Sequence, residues 1–410
     1  MNNAVKIYKI MRNNFLFCRE NIVDSLLKTE AYYIKHSTHS DSFDFSTQSS
    51  EKSTLISTLF FSSLVIDALP NHPLFIQIPT NELISLPPRS SFNATIFIQE
   101  NELGNTETLS QIKKLRMEGY EFGIINPTED TPEDTLKNFT SVCFELSKIG
   151  ISKVLQYVDL PTIAPKTIWV SDVHIKTQID KLIDTQKIRF FSGPFMTQVE
   201  HIKGQTYPVY KAILAELVER LNNSRSTIRS LAETIERDPN LAYRVIKLTK
   251  AVPYHRQFNV SNVQRALEII GLRDLLKWVT LAMFSSVDGK PDCLISMALS
   301  RAYFCELLSK ELFPAQQGAF LTGLFSYLPA VFDEDMPTLL EQLPIDPHIK
   351  DALLNKRGNL GSVLKVVCDY EAGRWDNLPL NQLEQHGLNT ESLRTIYLES
   401  LKQTKELQIL

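Results

Sequence analysis

A chain of 410 residues with 43% apolar residues is too apolar for a disordered polypeptide and long enough for two or three domains of about 150 residues each. Its 43 Lys and Arg against 47 Asp and Glu leave a net charge of −4, which argues against broad electrostatic capture of nucleic acid. No apolar run reaches the roughly 18 residues that a membrane span needs.

The start, Met1-Asn-Asn-Ala-Val-Lys-Ile, lacks the charged-then-apolar layout of a leader. From there to about Phe195, short apolar runs bounded by Pro, Gly, Asn or Asp alternate with helical stretches. Strands are predicted at Phe15–Cys18, Leu74–Ile78, Ala94–Ile98, Glu121–Ile125, Val154–Val158, Thr167–Val170 and Ile188–Phe191. Leu109, Ile112 and Leu115 share a face of one helix between them, and Leu136, Phe139, Val142 and Leu146 share a face of another. Strand–helix alternation predicts an α/β domain over residues 1–204, built from parallel units as in a barrel. Residues 37–54, rich in Ser and Thr, read as a long loop within it.

After Gly204 the strand signals fade, and residues 205–410 read as an all-α domain. Leu214, Leu217, Val218 and Leu221 make one apolar stripe, and Ile228, Leu231, Ala232 and Ile235 make the next, with Ser226 as its predicted cap. Asp238-Pro239 restarts the chain, with Asp as N-cap and Pro at the first helical position. Helices are further predicted over 263–284, 294–312, 319–331 and 361–371. Trp278 and Trp375 read as core, Cys305 as a buried thiol, and His255 as solvated.

The motifs of several chemistries are missing. There is no G-x-G-x-x-G, no G-x-x-x-x-G-K-[ST] and no G-x-S-x-G. None of the eight histidines precedes an Asp, so the His-Asp metal pair of helical hydrolases is missing. The five cysteines (Cys18, Cys143, Cys293, Cys305, Cys368) never form C-x-x-C, which predicts reduced thiols in a cytoplasmic protein and no structural zinc. The predicted strand ends offer Gln99, Ile125-Asn126, Leu155 and Ser171, a nearly neutral set with little hold on Mg²⁺. Residues 227–247 superficially resemble helix-turn-helix, with Arg244, Lys247 and Lys250 as a basic face. The Asp-Pro turn and the acidic chain favour two core helices instead, so DNA binding ranks last.

Leu231-Ala-x-x-Ile235-x-x-Asp238-Pro239-x-Leu241, followed by Ala266-Leu267-x-x-Ile270-Gly271-Leu272, resembles the HDOD domain. That family consists of HD-superfamily relatives without the His-Asp metal ligands. Arg301-Ala302-x-x-Cys305-Glu306, Phe320-Leu-Thr-Gly323-Leu324-Phe-Ser326 and Tyr370-Glu371-x-Gly373-x-Trp375 look like the same family, in its order. Its polar positions fall on Asp238, Lys250, Arg301 and Glu306, with Lys250-Ala251 departing from the family's frequent Asn-Ser.

The first half resembles the EAL-type domain, a TIM-barrel-derived fold whose active members linearise cyclic di-GMP with Mg²⁺ or Mn²⁺. Gln77 stands where that family has a metal-binding Asn, Gln99 where it has a Glu, and Ile125-Asn126 where it has Asp-Asp. Lys153 matches the family's Lys, but Leu155 replaces the following Asp, Ser171 replaces a Glu, and Ser192 replaces a Gln. Glu102 and Lys153 read either as remnants of the pocket or as a strand-end salt bridge, the plainer reading.

The resemblance implies a degenerate EAL-like domain before an all-helical HDOD domain, with no cofactor and no enzymatic activity. The expected function is bacterial signal transduction through protein–protein contacts with unidentified signalling partners. A cyclic di-GMP or other nucleotide sensor is the first alternative, and a weak cyclic di-GMP phosphodiesterase the second. Neither a membrane nor a nucleic acid is expected as a partner.

Overall fold

Asp24 turns the chain back on itself. Its Oδ1 accepts from the N–H groups of Leu26 and Lys28 at 2.8 and 2.9 Å, and Leu27 takes a φ of 62°. So short a turn can join strands only antiparallel, and β1 (Phe17–Val23) pairs that way with β2 (Thr29–His36). Parallel pairing then runs through β3 (Leu74–Gln77), β4 (Ala94–Gln99), β5 (Glu121–Ile125), β6 (Ser141–Glu145), β7 (Thr167–Ser171) and β8 (Ile188–Phe191). Val23 opposite Phe191 joins β1 to β8, again antiparallel, and closes a barrel of eight strands.

The computed structural model describes residues 16–37, 68, 72–86, 93–199, 208–222, 226–248, 262–284, 290–291, 293–341 and 343–407. They form two units: Met1–Met196 with Asp369–Leu398, and Thr197–Cys368 with Glu399–Leu410. The first holds the barrel, and it also takes a C-terminal segment that the sequence reading places in the helical domain. Nearly all of the loop read at 37–54 lies outside the described residues, as do Lys250 and His255.

Three predicted elements of the barrel unit differ from the fold, and in the helical unit the stretch 319–331 is two helices, Ala319–Phe325 and Leu328–Phe332. The apolar spacing over 136–146 predicts a helix, yet the chain runs as β6 after a short helix at Glu133–Leu136. Val142, Cys143 and Phe144 are buried in succession, as in a strand covered on both faces, and their spacing matches helical periodicity by coincidence. Val154–Val158 is not a strand; Ile151–Tyr157 is a helix that buries Val154 and Tyr157 on the barrel's outer face. The first strand begins at Phe17 rather than Phe15, and the sequence reading lacks β2, whose short apolar run Ala31–Ile34 is bounded by Glu30 and Lys35 rather than by turn residues.

The second unit is helical throughout its described residues. Leu214, Leu217 and Val218 are buried on Pro208–Asn222; Leu231, Ala232 and Ile235 on Ile228–Ile235; and Leu241 and Val245 on Pro239–Leu248. Thr227, not Ser226, caps the second of these by accepting from the Ser230 amide at 3.2 Å. Asp238 caps the third, accepting from the Leu241 amide at 3.0 Å. Gly271 separates Val263–Ile270 from Leu272–Phe284 inside the stretch read as one helix. Gly323 lets Ala319–Phe325 lie against Cys293–Leu312, since a Cβ there would stand 2.7 Å from the Arg301 carbonyl oxygen.

Candidate functional site

Side chains alternate along each strand, so positions two apart face the barrel interior together. One interior layer holds Ile22, Ala31, Phe75, Phe97, Ile125, Cys143, Trp169 and Phe190. Its rings plug the barrel: Phe75 lies 5.0 Å from Phe97 and 5.4 Å from Trp169, centroid to centroid. Gly123 makes room for the plug, because a Cβ there would come within 2.3 Å of the Phe97 ring. The Trp169 indole N–H donates to the hydroxyl of fully buried Ser192 at 3.2 Å, which satisfies the buried donor.

One step along the same strands, toward the carboxyl ends of the parallel ones, the interior becomes polar. A cavity of about 360 Å³ opens there, at the end of the barrel where such folds place their sites and at the small end of the ligand-pocket range. Glu20, Tyr33, Lys35, Gln77, Cys143, Glu145, Ser171 and Asp172 line it, with Tyr33, Trp169 and Trp375 as aromatic walls.

Its polar groups are mutually engaged. Glu20 and Lys35 form an ion pair across the β1–β2 hairpin. Burial works to lower the Lys35 pKa, but the Glu20 carboxylate outweighs it and leaves the value above the ordinary one. Glu145 accepts from Asn126 Nδ2 at 2.6 Å and meets Lys148 Nζ at 2.7 Å, and the Ser147 hydroxyl donates to Asp172 at 2.7 Å. The Tyr33 hydroxyl donates to Gln77 Oε1 at 3.1 Å, and burial, then the nearby Cys143 and carboxylates, push its pKa up, so the phenol stays neutral. Burial likewise holds Cys143 as a thiol against the opposing effect of the Ser171 hydroxyl, 3.6 Å from its sulfur. His36 contacts the Gln77 carbonyl at 3.0 Å through Nε2, and burial lowers its pKa.

The C-terminal segment supplies one wall. Trp375 packs edge-on against Tyr370 at 5.1 Å, Tyr370 lies 4.9 Å from Tyr397, and the Tyr397 hydroxyl accepts from the Arg19 amide at 3.0 Å. Arg374 pairs with Asp369 at 2.8 Å and steadies the turn.

The expectation of a pocket stripped of acidic oxygens is overturned: Glu20, Glu145 and Asp172 line it. The error follows from the misplaced β6, because a strand over 141–145 ends on Glu145 and one over 154–158 does not. The same correction moves Lys153, which is exposed on the helix Ile151–Tyr157 and stands at no strand end. Leu155 lies on that helix too. Of the other predicted residues, Gln77 lines the cavity, Asn126 clamps Glu145 at its rim, and Ser192 lies beneath Trp169. Gln99 ends β4 half-buried outside the lining, and Glu102 accepts from the Thr80 amide at 2.9 Å. Trp375, read as core, is a wall of the cavity. Glu20 and Asp172 carry no motif: Glu20 is placed by its parity in the hairpin, and Asp172 stands just past the end of β7 at a φ of 58°.

The donor set does not fit the divalent ion that an EAL-type resemblance implies. Each carboxylate already has a neighbouring cation or hydrogen-bond donor, the thiol is neutral, and an ammonium stands among them. Among the described residues no three His, Cys, Asp or Glu side chains converge as metal ligands do.

Residues 207–332 match the HDOD domain family. The helical unit carries an HDOD domain. Tyr370-Glu371-x-Gly373-x-Trp375, which the sequence reading gives to that family, falls beyond the matched residues and packs with the barrel. Within the HDOD domain, Arg301 hydrogen-bonds the Ser326 hydroxyl at 3.1 Å and lies 4.2 Å over the Tyr327 ring, so it ties helices by these contacts. Glu306 pairs with Lys277 at 3.3 Å, Cys305 is fully buried, and Trp278 is half-buried.

The chain is 22% identical over 307 residues to the uncharacterized protein YuxH of Bacillus subtilis, covering 72% of this chain and 74% of that one. It is 28% identical over 221 residues to the cyclic di-GMP phosphodiesterase CdgJ of Vibrio cholerae, covering 53% of this chain and 51% of that one, about half of each. Among solved structures, the EAL domain of FimX from Pseudomonas aeruginosa, bound to c-di-GMP, aligns with 47% of this chain and 93% of its own at 12% identity and a TM-score of 0.34. No helix among the described residues is long and apolar enough to cross a membrane.

Proposed function

We propose that this chain is a non-enzymatic signal-transduction protein of the cytoplasm that acts through contacts with other proteins, its barrel being a degenerate relative of cyclic di-GMP phosphodiesterases. One observation carries the reading. Among the described residues, every carboxylate lining the barrel cavity is engaged by a neighbour of its own chain: Glu20 by Lys35, Glu145 by Asn126 and Lys148, Asp172 by Ser147. Hydrolysis of a phosphodiester by a bound metal needs free oxygen ligands that hold the ion and lower the pKa of its water. The kinship with CdgJ supports a place in cyclic di-GMP signalling. The domain junction is taken near residues 204–205, with segment 369–398 serving the barrel.

A second reading is favoured by the aromatic walls at Tyr33, Trp169 and Trp375: the cavity binds a cyclic dinucleotide or another nucleotide without cleaving it. Calorimetry of the full chain with cyclic di-GMP and a panel of nucleotides separates the two. The scaffold reading predicts no saturable heat; micromolar heat that Trp375→Ala abolishes moves the conclusion to the sensor.

A further inference from the structure

Among the described residues, the barrel mouth holds three carboxylates, from Glu20, Glu145 and Asp172, and one ammonium carried by the barrel wall itself, that of Lys35. Lys35 lies two residues beyond Tyr33 on β2, so both enter the cavity, and the Tyr33 phenol has all three carboxylates around it. Lys35 is held in place from two sides. Glu20 pairs with its head, and both side chains are largely shielded, at 33% and 17% exposure. The turn at Gly373, whose φ of 71° admits no ordinary side chain easily, packs by its stem: a Cβ there would lie 3.7 Å from Lys35 Cδ.

We propose that Lys35 is the resident cation of this cavity: its ammonium neutralises the carboxylates at the barrel mouth and so excludes a divalent metal ion. An ammonium inside a partly shielded cavity repels a second cation, and a tethered charge cannot be diluted away. The entering ion must displace Lys35 from Glu20 and leave the lysine without the carboxylate it pairs with. This rests on the non-enzymatic reading and supplies its cause: the cavity keeps carboxylates, and its own side chain takes the place of the ion.

The test is Mn²⁺ binding by the full chain, read by calorimetry, for wild type, Lys35→Met and Lys35→Gln, with circular dichroism to verify folding. Wild type is expected to show no saturable binding. Both variants are expected to bind Mn²⁺ tighter by about tenfold or more. The double variant Glu20→Gln/Lys35→Met is expected to lose that gain. Folded single variants that bind no better than wild type overturn the proposal. Should neither variant fold, wild type still decides it: millimolar Mn²⁺ leaves the Trp169 and Trp375 indole resonances sharp, whereas saturable paramagnetic broadening of both contradicts it. Failure here without hydrolysis of cyclic di-GMP by wild type leaves the non-enzymatic reading in place; hydrolysis removes that reading itself.

Discussion

Asn126 and Glu145 hold each other twice. The Asn126 amide donates to Glu145 Oε2 at 2.6 Å, and the Glu145 backbone N–H donates to Asn126 Oδ1 at 2.8 Å. The clamp bridges the ends of adjacent strands β5 and β6, and Asn126 adopts a φ of 55°, which Asn tolerates better than most residues. Asn126→Gly keeps that backbone and deletes both bonds. It is expected to cost about 1–3 kcal/mol of stability in urea unfolding, the range for leaving a partly buried charged acceptor short of a donor. A cost within error of zero would show the clamp to be incidental.

Gly123 is a second test of the barrel's interior. Gly123→Ala drives a methyl into the Phe97 ring, and overpacking of this kind costs about 1–3 kcal/mol. Adding Phe97→Leu removes the obstructing ring edge, so the pair is expected to be less destabilised than the two single costs added together. Strict additivity would mean that the two positions do not meet.

His36 and Cys18 each tie stability to pH. Burial lowers the His36 pKa, so below the ordinary value of about 6.5 the unfolded chain takes up a proton that the folded chain resists. Its contribution is present above that pH and lost as pH falls through the folded value; His36→Gln is expected to flatten the acid limb of stability against pH. Burial raises the Cys18 thiol from 9.0 to about 12. Its contribution is present below pH 9 and lost as pH rises toward 12, and Cys18→Ala is expected to soften the alkaline limb. Unchanged limbs in both variants would assign the pH dependence to other groups.

Much of the architecture is legible in the residues. β5, β7 and β8 stand out as short apolar runs between breakers, and Asp238-Pro239 marks a helix start that the structure places at that position. The cavity is less legible for a physical reason. Its strand residues are defined by parity, and placing the strand at 154–158 instead of 141–145 exchanges inward residues for those of a helix on the outer wall. Glu145 was hidden because Leu136, Phe139, Val142 and Leu146 imitate a helical stripe. Lys35 is hard to find because it follows a short apolar run, Ala31–Ile34, that no Pro, Gly, Asn or Asp bounds. Trp375 was hidden because 369–398 returns to the barrel from far along the chain, a contact that no local pattern encodes.

Whether the barrel cleaves a phosphodiester decides between a scaffold and an enzyme. Purified full-length chain incubated with cyclic di-GMP and either Mg²⁺ or Mn²⁺, with products resolved by chromatography, answers it. The expected result is no linear dinucleotide above the enzyme-free control. Linear product that rises with protein concentration and disappears in Glu145→Ala would contradict it.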